Sequence, residues 1–227
     1  MISQSAWCHL LKRRFLLTAL NFILLTLLED TTPFVNSLSA FCDWSSNWQL
    51  SIALQKCSIV SFGSLVTSDT SYSLSGVNLE HLSSIRDLGV YFSSDLKSEI
   101  HCSFIAAKAY SRCSLLLRGF QANDVNILLR VYKTYVRPIL EYNTPVWNPW
   151  LIHDIKCVER VQRFFTRAIY KRVNMPAMSY SDRLTNLDLH SLEYRRLYFD
   201  LVMCFKIVKI DLDASAFFNI NVSPYCT

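Results

Sequence analysis

Hydrophobic and polar positions follow two different periods along this chain, and the change of period divides it. Residues 7–28 are apolar with few interruptions and read as a helix ending at Glu29-Asp30-Thr31-Thr32-Pro33. Residues 34–47, richer in Ser and Asn, read as a second helical segment. The spacing then shortens. Leu50 to Leu54 and Cys57 to Phe62 are short runs with β-branched residues, the second closed by Gly63. Tyr72-Ser73-Leu74 and Ile85 to Phe92 are further strand candidates between Ser- and Gly-containing turns. The middle of the chain therefore predicts a small antiparallel sheet.

From Glu99 the apolar positions recur at helical spacing almost to the end. One helix is predicted over 99–118, closed by Gly119. Asn123 or Asp124 can cap the next, which ends near Val136, ahead of Pro138. A proline-rich connection, Pro138 to Pro149, comes next and brings in Trp147 and Trp150. His153 to Arg172 reads as a long helix ended by Asn174 and Pro176. Ser179 or Ser181 opens a short helix, and Ser191 to Lys209 is the last long one. The expected fold is α+β: a small antiparallel sheet fragment followed by a mostly α-helical domain. The expected segments are an apolar N-terminal helix over 1–33, the sheet fragment with its hairpin over 34–97, the helical domain over 98–210, and a tail over 211–227.

Length and composition agree with a folded chain. Its 227 residues suffice for one sizeable core or two small ones, and 51% are hydrophobic. Four glycines are too few for a sandwich or barrel of tight turns. The net charge of +5 is unevenly spread. Residues 1–90 carry five basic and six acidic side chains, whereas 91–210 carry eighteen basic and ten acidic ones. A positive field concentrated in one half suits an anionic partner, most simply nucleic acid, or else is an ordinary solvated surface.

The helix over 153–172 sharpens that choice. At 100° per residue, Lys156, Arg160, Arg163, Arg167 and Lys171 fall within an arc of about 80° and span about 22 Å. Ile155, Val158, Val161, Phe165, Ala168 and Ile169 cover the other side. Like charges at this spacing cost a few tenths of a kcal/mol per pair, with only Asp154 and Glu159 near enough to offset it. Contact with three to five phosphates would recover that cost and give a log–log salt slope of about −2 to −4.

Other chemistry is sparse. The eight cysteines are scattered and form no C-x-x-C pair, so they read as reduced, mostly buried thiols of an intracellular protein, cytoplasmic or nuclear. His153 and Cys157 have the spacing of two ligands on a helix, but no second pair completes a zinc site, so no metal is expected. No G-x-S-x-G and no phosphate-cradling glycine loop is present, and none of the five histidines sits in an acid–base constellation. Trp147 and Trp150 are either packing anchors or stacking surfaces for bases. Phe15 to Leu28, preceded by Lys12-Arg13-Arg14, is 14 residues long, short for a bilayer span; it reads as an amphipathic helix or, alternatively, as a membrane anchor or signal. The sequon Asn221-Val222-Ser223 is followed by Pro224.

Five stretches, in order, resemble the region after the catalytic motif of non-LTR (LINE-type) retrotransposon reverse transcriptases. The first is Trp44-x-x-x-Trp48-x-Leu50 followed by Lys56-Cys57-Ser58-Ile59-Val60-Ser61-Phe62-Gly63. The second is Tyr72-x-Leu74-x-Gly76 leading to Asp87-Leu88-Gly89-Val90. The third is Tyr135-Val136-Arg137-Pro138-Ile139-Leu140-Glu141-Tyr142 with Val146-Trp147-Asn148-Pro149. The fourth is Glu159-x-Val161-Gln162-Arg163-x-x-Thr166-Arg167. The fifth is Tyr180-x-x-Arg183-Leu184, then Ser191-Leu192-Glu193-x-Arg195-Arg196 and Asp200-Leu201.

The resemblance implies that 34–97 is the end of a palm, with Asp87, Leu88, Gly89 and Val90 as a primer-grip-like hairpin and Lys56 as the palm lysine. It implies that 98–210 corresponds to the thumb and its C-terminal extension, which grip a template–primer duplex of RNA or DNA. It also exposes departures. The intact family uses Mg²⁺ held by carboxylates, two of them in a Tyr-x-Asp-Asp turn. Where that turn should stand, ahead of Trp44, this chain reads Leu16-Leu17-Thr18-Ala19-Leu20-Asn21. The family's Leu-Asn-Pro before Lys-Cys is here Ala53-Leu54-Gln55. The expectation is a truncated, catalytically inactive reverse-transcriptase remnant, with no catalytic residues, no cofactor and no small-molecule substrate, that retains non-specific nucleic-acid binding through Lys156, Arg160, Arg163, Arg167 and Lys171. The alternative is a membrane-associated helical interaction protein anchored by Phe15–Leu28. Strand edges left open by the missing palm would make the isolated chain prone to aggregate.

Overall fold

A computed structural model describes residues 32–62 and 71–209. The apolar segment over 7–28, Phe15–Leu28 within it, the tail from 211 and the sequon at Asn221 lie outside the described residues. The fold is α+β, and the chain divides between Ser83 and Ser84 into two compact units.

In the first unit, helix α1 (Thr32–Asn47) is followed by a 3₁₀ turn, Leu54–Lys56, and four two-residue strands. These are β1 (Ser58–Ile59), β2 (Ser73–Leu74), β3 (Val77–Asn78) and β4 (Glu80–His81). β2 and β3 form an antiparallel hairpin, while β1 and β4 pair in parallel. Ser75 and Gly76 turn the hairpin with positive φ at both residues, the backbone that matches strand twist in a two-residue loop. A small apolar cluster, Leu38 with Tyr72 and Leu74, holds α1 on the hairpin. Leu50 to Leu54 is not the strand that its β-branched content predicts. Gln49 takes a left-handed conformation that ends α1, the Leu50 N–H donates to the Ser45 carbonyl at 2.9 Å, and Ser45 Oγ donates to the Leu50 carbonyl. Backbone groups satisfied locally in this way do not enter a ladder.

The second unit opens with the antiparallel hairpin β5 (Ser84–Asp87) and β6 (Val90–Ser93). Seven helices succeed it among the described residues: α2 (Glu99–Gly119), α3 (Val125–Tyr135), α4 (Arg137–Glu141), α5 (Thr144–Trp147), α6 (Ile152–Arg172), α7 (Tyr180–Asn186) and α8 (Leu192–Lys209). The predicted caps are present. Asp124 accepts from the Asn126 N–H at 2.7 Å, and Ser179 Oγ accepts from the Asp182 N–H at 3.2 Å. The proline-rich connection, by contrast, is not irregular: it holds α4 and α5. Pro138 and Pro145 sit in their first turns, where a missing N–H leaves no bond unmade, and left-handed Asn143 separates the two.

The core of this unit runs from Val90 on β6 through Cys102, Ile105 and Ala109 on α2 to Tyr132, Leu140, Trp147, Val161, Phe165 and Leu192. Helices α2 and α6 lie parallel. Tyr110 and Phe164 meet edge to face at 5.5 Å, and Arg172 at the end of α6 donates to the Leu117 and Phe120 carbonyls at the end of α2. A cation there satisfies orphan carbonyls and complements the helix dipole. No helix among the described residues is long and apolar enough to cross a membrane.

Candidate nucleic-acid interface

Helix α6 carries the five cations singled out by its periodicity. Lys156, Arg160, Arg163, Arg167 and Lys171 are all exposed, whereas Val158, Val161, Phe165 and Ile169 are buried. The same helix thus anchors in the core and shows a line of positive charge to water. None of the five makes an ion pair with a carboxylate among the described residues.

The two carboxylates that could have offset the stripe are committed elsewhere. Glu159 is buried, accepting the Tyr180 hydroxyl and, at 3.0 Å, the Leu192 N–H that opens α8. It caps α8 from within the fold. Burial raises its pKa, opposed by the Tyr180 hydrogen bond and by Arg196. Asp154 is also buried, with one oxygen 3.3 Å from His153 Nδ1. Neither carboxylate therefore offsets the stripe.

A buried polar network fixes the face opposite the stripe. Gln162 accepts from the Tyr132 hydroxyl at 2.8 Å and donates to the Tyr180 oxygen and the His190 carbonyl, both at 3.0 Å. Burial pushes the hydroxyl pKa values of Tyr132 and Tyr180 well up, so both remain hydrogen-bond donors. Arg183 donates to the Met178 carbonyl and lies under the Tyr180 ring. Arg163, at the edge of the stripe, stacks on the same ring at 4.7 Å, which limits its freedom and lowers the entropy it loses on gripping an anion. Further out, Arg195 forms a two-pronged ion pair with Glu141, and buried Arg196 donates to Asn148 Oδ1 at 3.1 Å.

Polar residues of the third, fourth and fifth motif stretches thus meet one another. Glu141, Asn148, Glu159, Gln162, Tyr180, Arg183, Arg195 and Arg196 hold helices together, while Arg163 and Arg167 face water. Spacing along α6 separates these two roles, since Glu159, Gln162 and Thr166 leave the stripe's arc. Nothing in the local sequence pairs Glu141 with Arg195, 54 residues away.

The hairpin residues are together by construction. Leu88 and Gly89 form the turn, both at positive φ, and the Leu88 carbonyl accepts the Tyr142 hydroxyl at 3.1 Å. Val90 is buried, and Asp87 pairs with it across the ladder. Lys56 is exposed at the end of the 3₁₀ turn of the first unit. The tryptophan pair separates. Trp147 is 5% exposed, donates its indole N–H to the Tyr142 carbonyl at 2.7 Å and packs on His101, whereas Trp150 is 72% exposed. Cys102 and Cys113 have thiols that burial pushes up to about 12. No group of three metal-ligating side chains occurs among the described residues.

No family model matches the chain, and no solved structure matches it. Among proteins similar in sequence, an uncharacterized protein of Caenorhabditis elegans is 31% identical over 113 residues, which make up 50% of this chain and 57% of that protein. The RNA-directed DNA polymerase from mobile element jockey of Drosophila melanogaster is 26% identical over 177 residues, 71% of this chain and 19% of the polymerase. The chain therefore spans little more than half of the first and under a fifth of the second.

Proposed function

We propose that this chain is a reverse-transcriptase-like segment of mobile-element origin that holds a nucleic-acid duplex by its backbone and does not itself polymerise DNA. The observation that carries the reading is the line of five exposed cations on α6 without carboxylate partners among the described residues. Phosphates spaced along a duplex are the partner that a rigid row of cations about 22 Å long suits best. The contact is independent of base sequence, because a line of cations spaced along the backbone meets phosphates, which carry no sequence information. The likeness to the fly polymerase supports the origin. The non-catalytic part rests on the lack of a Tyr-x-Asp-Asp turn in this sequence, since two-metal transfer needs those carboxylates.

Binding to a fluorescent primer–template duplex, titrated with salt, tests the first part. The expected log–log slope is about −2 to −4 for three to five phosphates. Arg160→Glu, Arg163→Glu and Arg167→Glu together should abolish the salt-sensitive component while circular dichroism shows the helices retained. Unchanged affinity in that variant would remove the reading. Primer extension with Mg²⁺ tests the second part, and any extension by the pure chain overturns it.

A further inference from the structure

The turn from β6 into α2 and the turn from α5 into α6 face each other across a groove of about 140 Å³. Tyr91, Phe92, Trp147 and Trp150 line it, with Leu96 and Lys97 on the β6 side. Two of these side chains are held against their physical preference. Leu96 has φ 56°, a left-handed conformation costly for a side chain with a Cβ, and is 67% exposed. The turn enforces this: Ser93 Oγ donates to Asp95 and lies 3.1 Å from the Lys97 carbonyl, and the Lys97 N–H donates to Asp95 at 3.1 Å. Trp150 stands 72% exposed three residues from the buried Trp147. A strained backbone and an exposed aromatic side chain thus coincide at the groove.

We infer that this groove takes one unpaired base of the strand whose phosphates lie on the α6 stripe, with Trp150 and Leu96 as its two walls. The inference rests on the interface proposed above and adds to it. Size supports it, because a cavity of about 150 Å³ accommodates a single benzene-sized ring and no helix. Chemistry supports it, because aromatic faces stack on any base, and Lys97, ion-paired with Asp95 at 2.9 Å, stands beside the groove where a flanking phosphate would pass. Placement supports it as well. Trp150 stands just ahead of α6, two residues before its first residue Ile152 and six before Lys156, the first cation of the stripe.

Two duplexes of equal length test it, one blunt and one with a three-nucleotide single-stranded overhang, each bound by the full chain and by Trp150→Ala and Trp150→Phe. The overhang should improve binding about tenfold. Trp150→Ala should erase that gain while leaving blunt-duplex affinity and salt slope as they were, and Trp150→Phe should keep part of it. Equal affinity for both duplexes, or an equal loss on both in Trp150→Ala, overturns the base site and leaves the stripe standing. Absence of salt-sensitive binding to either duplex overturns the interface itself, and the base site with it. A thermal melt of each variant shows whether it folds; Trp150 is mostly solvent-exposed, so no loss is expected.

Discussion

His101 shows how one buried side chain ties stability to pH. It is 1% exposed, its ring packs 4.8 Å from that of Trp147, its Nδ1 accepts the Tyr91 N–H at 3.3 Å, and its proton therefore rests on Nε2. Burial, helped by Arg86, pushes its pKa down to about 4. An unfolded histidine titrates near 6.5, so as pH falls the unfolded chain takes up this proton first. The contribution is complete above about pH 6.5 and is lost as pH falls toward 4, up to about 3 kcal/mol. Glu159, with its pKa raised by burial, pulls the other way as pH falls, so the comparison must be between variants. His101→Gln should flatten the fall in urea midpoint between pH 7 and pH 4.5 relative to the parent chain. An unchanged pH profile would show that His101 is not the group responsible.

At the scale of elements, the hairpin β5–β6 and the helix α6 illustrate different controls. Leu88 and Gly89 both need positive φ, which suits glycine and penalises leucine. A Cβ on Gly89 would meet only Tyr142 at 3.6 Å, an ordinary contact, so the cost of substitution lies in the backbone. Gly89→Ala should lower stability by about 1 kcal/mol, whereas Leu88→Asn should raise it by a similar amount or less. Thermal melts of the two variants, shifting in opposite directions, check this. Helix α6 is controlled by its two faces: buried residues and the Gln162 network fix its rotation, and that rotation aims the cations at solvent.

At the scale of the molecule, the last helix carries an exposed apolar face. On α8, Tyr194, Leu197, Tyr198, Leu201, Phe205 and Val208 share one face, and each is more than half exposed. The chain should therefore self-associate as its concentration rises. Sedimentation velocity should show this, and Leu197→Lys, Leu201→Glu and Phe205→Lys together should return the chain to monomer without loss of helix content. A parent chain that stays monomeric across the concentration range would count against the prediction. This hazard is separate from the open strand edges that the sequence alone brings to mind, because it comes from a helix whose periodicity gives no hint of which face stays bare.

The sequence by itself determined the α+β class, the long helices, the Asp124 and Ser179 caps, and the stripe on α6, because periodicity and capping are local properties. It misjudged Leu50 to Leu54 and the stretch from Pro138 to Pro149, where propensity yielded to backbone bonds made with near neighbours and to prolines placed harmlessly in first turns. Only the tertiary structure decided which charges are spoken for. Glu159 and Asp154 sit within reach of the stripe along the helix, yet packing turns both inward, away from the cations. It likewise decided that Trp147 is an anchor and Trp150 a surface, since burial depends on what other segments bring to a residue, and no local pattern contains that information.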